Sequence, residues 1–199
     1  MPDPLYLSLW FPSFEETDIL PRVLSVMRQF PFSATRPGVG YLALQPVSWN
    51  EPTILERKFQ PGIAPEEAVL IASDLLHDDY AYVFEAYWDL WTAAEHAGNV
   101  QWSFQPRQVR FIAQGTEFND GDAEHTGHIE IDFGMDTPFL HEELSLTEQA
   151  EAHVRANVQK LVDFTLKLEQ SSGASGRLLW SESEDNLAQK LIARLQRVQ

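Results

Sequence analysis

Cysteine is absent from this chain of 199 residues. That removes disulfides, thiolate metal sites and thiol nucleophiles at once. Long apolar runs are missing too. No stretch approaches the 18 or so consecutive apolar residues of a membrane-spanning helix. The opening MPDPLYLSLWFPSF lacks a basic start and a long apolar run, so it does not read as a secretory signal. A cytoplasmic protein of bacterial style is the simplest expectation.

Basic residues are scarce, with 14 Lys and Arg against 30 Asp and Glu and a net charge of −16. The scarcity is local. Residues 59–154 hold 19 acids and only two bases, Arg107 and Arg110, a balance of −17. The other 103 residues hold 12 bases against 11 acids. A surface of this kind repels phosphates, so nucleic acid is a poor partner. Adsorption to an anionic membrane is disfavoured for the same reason. A basic protein or a cation would be attracted, while solubility alone is the simpler use of such charge.

Apolar residues make up 44% of the chain and aromatics 12%, enough for a real core. One domain over 1–199 is the expectation, with a weak subdivision near 98–115. Leu5–Phe11 alternates as a strand. Ile19, Val23, Val26, Met27 and Phe30 recur at helical spacing behind the acids and threonine of residues 15–18. Val39–Val47 and Thr53–Phe59 read as strands joined by a turn-rich link at Ser48–Pro52, and Pro46 suggests an edge or a bulge. Pro65-Glu66-Glu67 opens a helix with proline and acids in the first turn.

The run YAYVFEAYWDLW, residues 80–91, fits a strand better than a helix, because its aromatic and apolar residues share one face at two-residue steps. Val100–Phe104 and Val109–Ala113 alternate on either side of Pro106, as a tight hairpin or as one strand broken at proline. His128–Gly134 is a clear strand. Thr147–Gln170 is a long amphipathic helix, Ser171–Gly176 a flexible link, Leu178–Ser181 a short strand, and Asp185 the cap of a last helix. This order predicts an α+β fold, a largely antiparallel sheet with helices packed on one face. Its opening β-α-β-β-α-β fits a split βαβ, ferredoxin-like unit.

The stretch EHTGHIEIDFG, residues 124–134, holds the densest set of metal-ligand types. On a strand, His128, Glu130 and Asp132 point the same way, about 6–7 Å per step. His125, His128, Glu130 and His141 have the composition of a site for zinc, iron or manganese, with His153 as a substitute. The plain reading is a strand whose polar side faces water. No cofactor is predicted beyond this divalent metal.

Asp120-x-Asp122-x-Glu124 resembles half a calcium loop, but His125 stands where glycine is required and Ile131 where glutamate is required, which leaves only irregular calcium binding open. His141-Glu142-Glu143 lacks the second histidine of a zinc-peptidase motif. Gly38–Ala43 matches a dinucleotide fingerprint by letter only, since it precedes a strand. No P-loop or nucleophile elbow is present.

A binding patch is the other candidate site: Trp49, Tyr80, Tyr82, Trp88, Trp91 and Trp102, with Arg107 and Arg110 beside them. Alternation puts Trp88 and Trp102 on apolar faces, while Trp49 and Trp91 read as partly exposed. Three functions follow. The first is a non-catalytic, immunity-like module that binds a basic protein. The second is a metal-dependent enzyme on the His125–Asp132 face. The third is a small-molecule binder lined by Tyr80, Tyr82, Trp88 and Trp102.

Overall fold

A computed structural model describes residues 2–96, 99–141, 146–182 and 186–196. Among these are seven strands and six α-helices. The strands are β1 (Pro4–Trp10), β2 (Val39–Pro46), β3 (Leu55–Ile63), β4 (Tyr80–His96), β5 (Asn99–Gln114), β6 (Ile129–Met135) and β7 (Gly176–Ser181). The helices are α1 (Glu16–Arg28), α2 (Pro65–Ser73), α3 (Ala123–Thr126), α4 (Thr137–Leu140), α5 (Glu148–Ser171) and α6 (Leu187–Gln196). The strands form one antiparallel sheet in the order β3-β2-β4-β5-β6-β1-β7. The α+β reading with an antiparallel sheet holds.

Alternation explains the sheet. Leu5, Leu7 and Leu9 on β1, Tyr82, Phe84, Ala86, Trp88 and Leu90 on β4, Val109, Phe111 and Ala113 on β5, and Ile129, Ile131 and Phe133 on β6 all face one side and are buried. Buried residues of α1, α2, α4, α5 and α6 join the same cluster on that side. Removing this apolar area from water is the main term holding the fold. At residues 80–91 the strand reading is right: the pattern continues to His96 as a 17-residue strand.

Several expectations need correction. The ferredoxin-like opening does not form, because β1 pairs with β6 and β7 and not with β2 or β4. After β1 the chain crosses three strands before laying down β2. Two split βαβ units do occur elsewhere: β3 and β4 flank β2, and β6 and β7 flank β1, each flanking pair parallel because both are antiparallel to the strand between. Element order in sequence is local, whereas strand neighbours are chosen by long-range packing.

Residues 99–114 are one strand, neither two strands nor a break at Pro106. Gln114 sends its N–H to the His128 carbonyl on the β6 side, and Gly115 sends its own to Tyr80 on the β4 side. At two-residue steps position 106 therefore faces away from β4. A proline without an N–H costs the β4–β5 ladder nothing there. Pro46 marks neither edge nor bulge but the end of an internal strand, opposite Tyr80.

The Ser171–Gly176 link is a tied turn. Ser172 is buried and donates to the Leu168 carbonyl, the Ala174 N–H donates to the Ser172 hydroxyl, and the Ser175 N–H donates to the Trp10 carbonyl. Thr147 caps α5, its hydroxyl accepting the Ala150 N–H. The expected Asp185 cap lies outside the described residues, as do Glu142 and Glu143 of the peptidase-like run.

Candidate functional site

Three connections meet at the end of the sheet where β2 finishes and β4 begins: residues 47–54, 74–80 and 115–128. Backbone bonds lock them together. The Val47 N–H donates to the Asp79 carbonyl at 2.7 Å, and the Asn119 N–H donates to the Val47 carbonyl at 2.8 Å. The Glu117 N–H donates to the Asp78 carbonyl. The Asp78 carboxylate accepts both the Thr116 N–H (2.8 Å) and the Thr116 hydroxyl (2.7 Å). Gly115 sits so close to this turn that a Cβ there would lie 1.9 Å from the Asp78 carbonyl oxygen. Glycine is required at that position.

The conformation is strained. Val47, Asn119 and Asp120 have φ of 60°, 51° and 58°. Asn and Asp tolerate the left-handed region, but for a β-branched valine it is an outlier. Strained backbone of this kind tends to cluster at functional sites. Phe118 is fully buried beneath the loops, and Trp49 packs edge-on against it at 4.9 Å while staying 45% exposed.

These three segments carry eight acids (Glu51, Asp74, Asp78, Asp79, Glu117, Asp120, Asp122 and Glu124) and no Lys or Arg. A cleft of about 550 Å³ opens within the 115–128 segment, with Asp120, Asp122, Glu124, His125 and His128 in its wall. The Trp10 indole N–H holds its rim by donating to the Glu124 carbonyl. Carboxylates without counter-charges on a fixed scaffold suit one chemistry above others, the acceptance of ammonium or guanidinium groups.

The sheet face that the core does not use carries both signs of charge. One cross-strand row runs through all seven strands: Lys58, Tyr41, Glu85, Arg110, Asp132, Tyr6 and Trp180. Arg110 sits between Glu85 and Asp132, its Nε 3.9 Å and 3.6 Å from their oxygens. One step along, burial pushes the Glu130 carboxyl from the usual 4.5 up to about 7, and Asp132 and Asp122 add to the rise. Burial raises Glu85 as well, against the lowering pull of Arg110 and Lys58.

The structure divides the expected metal ligands. His125 and His128 line the acidic cleft, and Glu130 lies on the uncovered sheet face. His141 is buried at the other end, against Trp102 at 5.0 Å, and His153 lies against Trp91 and Trp102. His128 serves the packing of the fold, for its Nδ1 accepts the Phe11 N–H at 3.0 Å and its ring stacks on Phe14 at 4.5 Å. Burial lowers its pKa, against the opposite pull of Glu124. Among the described residues no three His, Asp or Glu side chains converge to hold a metal ion.

The aromatic patch is likewise not one surface. Trp88 and Tyr82 are core residues, and the Tyr82 hydroxyl donates to the Leu75 carbonyl and accepts the His77 N–H. Tyr80 packs on His77 near the loop end, where Trp49 also lies. Trp91 and Trp102 sit on the far arm of β4 and β5, Trp91 stacked on His153 at 3.8 Å. They line a separate cleft of about 530 Å³ against the first turn of α5. Arg107 and Arg110 line a third, between β5 and β6.

The locking of these loops is not visible in the sequence. The run Asn119-Asp120-Gly121-Asp122 signals a turn, and its left-handed residue types are the signal that could mark it. Val47 gives no such signal. Searches against family models, curated proteins and solved structures return no match.

Proposed function

We propose that this protein is a non-catalytic binding module that captures a basic protein through its acidic loop end, as an immunity protein neutralises a toxin domain. The observation that carries this reading is the meeting of three base-free acidic loops, fixed by mutual backbone bonds, around a half-exposed tryptophan. Charge complementarity speeds encounter and suppresses wrong partners. A tryptophan amid polar neighbours is the residue type that most often anchors an interface. Loops already held in place lose little freedom on binding.

The test is capture from lysate of the source cell by three immobilised proteins: wild type, D120N/D122N/E124Q, and W49A. A basic protein retained by wild type at low salt, weakened by salt, and lost by both variants supports the reading. Recovery of no basic protein, or equal recovery by the triple variant, overturns it.

A further inference from the structure

β6 parts from β5 early. Their ladder ends at Arg110–Asp132, although β5 runs back to Asn99. Gly134, at φ 75°, turns β6 away. The gap is a cleft of about 380 Å³. Leu90, Phe133, Met135 and Pro138 supply apolar lining, and Arg107, Gln108, Arg110 and Asp132 the polar lining.

Strand alternation fixes what faces the gap. Gln114 donates toward the β6 side, so Gln108, six residues back, turns its N–H to the same side. Past Arg110, no strand among the described residues pairs that edge. Arg110 shares the uncovered face with Glu85 and Asp132. Arg107 is an odd number of steps away and shares the face of the buried Val109. The two arginines therefore bracket the Gln108 amide, one from each face of the sheet.

They are also the two bases of residues 59–154, and both fall on this one cleft. Arg107 is exposed and its side chain has no ion-pair partner among the described residues. Arg110 reaches its acids through Nε at 3.9 Å and 3.6 Å and is itself about half exposed, a weak arrangement. Asp132 is already engaged, accepting the Gly134 N–H at 2.8 Å. Met135, 53% exposed, leaves an apolar surface at the mouth.

We propose that this cleft binds a carboxylate carried on an apolar body. The carboxylate accepts the Gln108 N–H and the forked donors of Arg107 and Arg110, while the body lies on Leu90, Phe133 and Met135. A single negative charge fits better than a phosphate, because Asp132 and the acidic surroundings repel a dianion more strongly. Two sources share this chemistry, a small free acid and the C-terminus of a peptide. The site is separate from the acidic loop end and does not depend on its role.

The experiment is a titration of isotope-labelled protein followed by amide NMR. The probes are hexanoate and N-acetyl-leucyl-leucine, each against its primary amide. At least one acid is expected to shift the Gln108 amide and to bind about tenfold tighter than its amide, the size of one charged hydrogen bond. R107Q is expected to remove most of that preference, and R107K, which keeps charge but loses the fork, to remove part of it. Binding of the dipeptide alone identifies a peptide C-terminus, and binding of hexanoate identifies a free acid. The proposal falls if neither acid moves Gln108 up to about 10 mM, if acid and amide bind alike, or if R107Q keeps the preference. The acid-against-amide comparison on wild type decides the matter even where a variant folds poorly.

Discussion

The two ends of β4 and β5 are built in opposite ways. At the loop end the strands stay inside the sheet, between β2 and β6, and backbone bonds clamp their connections. At the arm they leave the sheet as a two-stranded ribbon and rest on α5. Side chains do the holding there. His141, Trp102, His153, Trp91 and Phe104 form a chain of ring contacts, and the Lys160 ammonium lies over Phe104. Asn157 fastens the edge of β4 by exchanging two hydrogen bonds with the Trp91 backbone. The difference separates aromatics that build from aromatics left free to bind. At the arm, ring contacts within the molecule occupy Trp91 and Trp102, whereas at the loop end Trp49 remains half open among acids.

The largest expected effect breaks the arm. Asn157 is 2% exposed and also donates to the Pro138 carbonyl. Asn157→Ala leaves buried backbone groups unpaired and is expected to cost about 3 kcal/mol in chemical denaturation. Hydrogen exchange at Trp91 should quicken while Asn119 keeps its protection. Equal loosening of both amides would show that the two ends are one cooperative unit.

Gly115→Ala attacks the other clamp. The added methyl must displace the Asp78 turn, at an expected cost of about 2 kcal/mol. Here exchange at Asn119 should quicken first, and capture of the basic partner should fall with it.

The third prediction concerns pH. A carboxyl whose folded pKa is raised holds its proton when the unfolded chain has lost it, so folding weakens as pH rises between about 4.5 and 7. Glu130→Gln should remove that slope and stabilise the protein above pH 7 by about 1 kcal/mol, solvent screening allowed for. His128 acts in the opposite direction: its lowered pKa costs stability as pH falls below 6.5. A fold whose stability at pH 8 is unchanged by Glu130→Gln would refute the burial assigned to that carboxyl.

The smallest effect on stability carries the most functional information. Asp120→Asn, at an exposed loop position, should change stability by less than about 0.5 kcal/mol while still weakening capture. Capture that survives would move the interface away from the loop end.

Much of the fold is legible in the sequence because the two-residue period of a half-buried strand is a local property. Leu5–Leu9, Tyr82–Leu90 and Ile129–Phe133 announce both their strands and their buried faces. Pro106 misleads because sequence does not show which strand edge lacks a partner. The site is less legible for a related reason. Asp78, Val47 and Asn119 lie far apart in sequence and meet only through the strand order. Alternation rightly places Glu130 on the face opposite the buried Ile129 and Ile131, but the composition of a metal site does not show whether ligands converge. His141 lies beyond the far end of β6, against the arm.

The place of β1 in the sheet has a consequence in time. Both of its neighbours come late in the chain, at Ile129–Met135 and Gly176–Ser181. On a ribosome adding about 5–20 residues per second, the first strand waits on the order of ten seconds for its second neighbour. Until β6 emerges LYLSLWF is an unpaired apolar strand with both edges open, and until β7 emerges one edge stays open, the kind of segment that chaperones hold. The β2–β5 half has its strands earlier and can pair first, so closure of the sheet around β1 is expected to be the last and slowest act of folding.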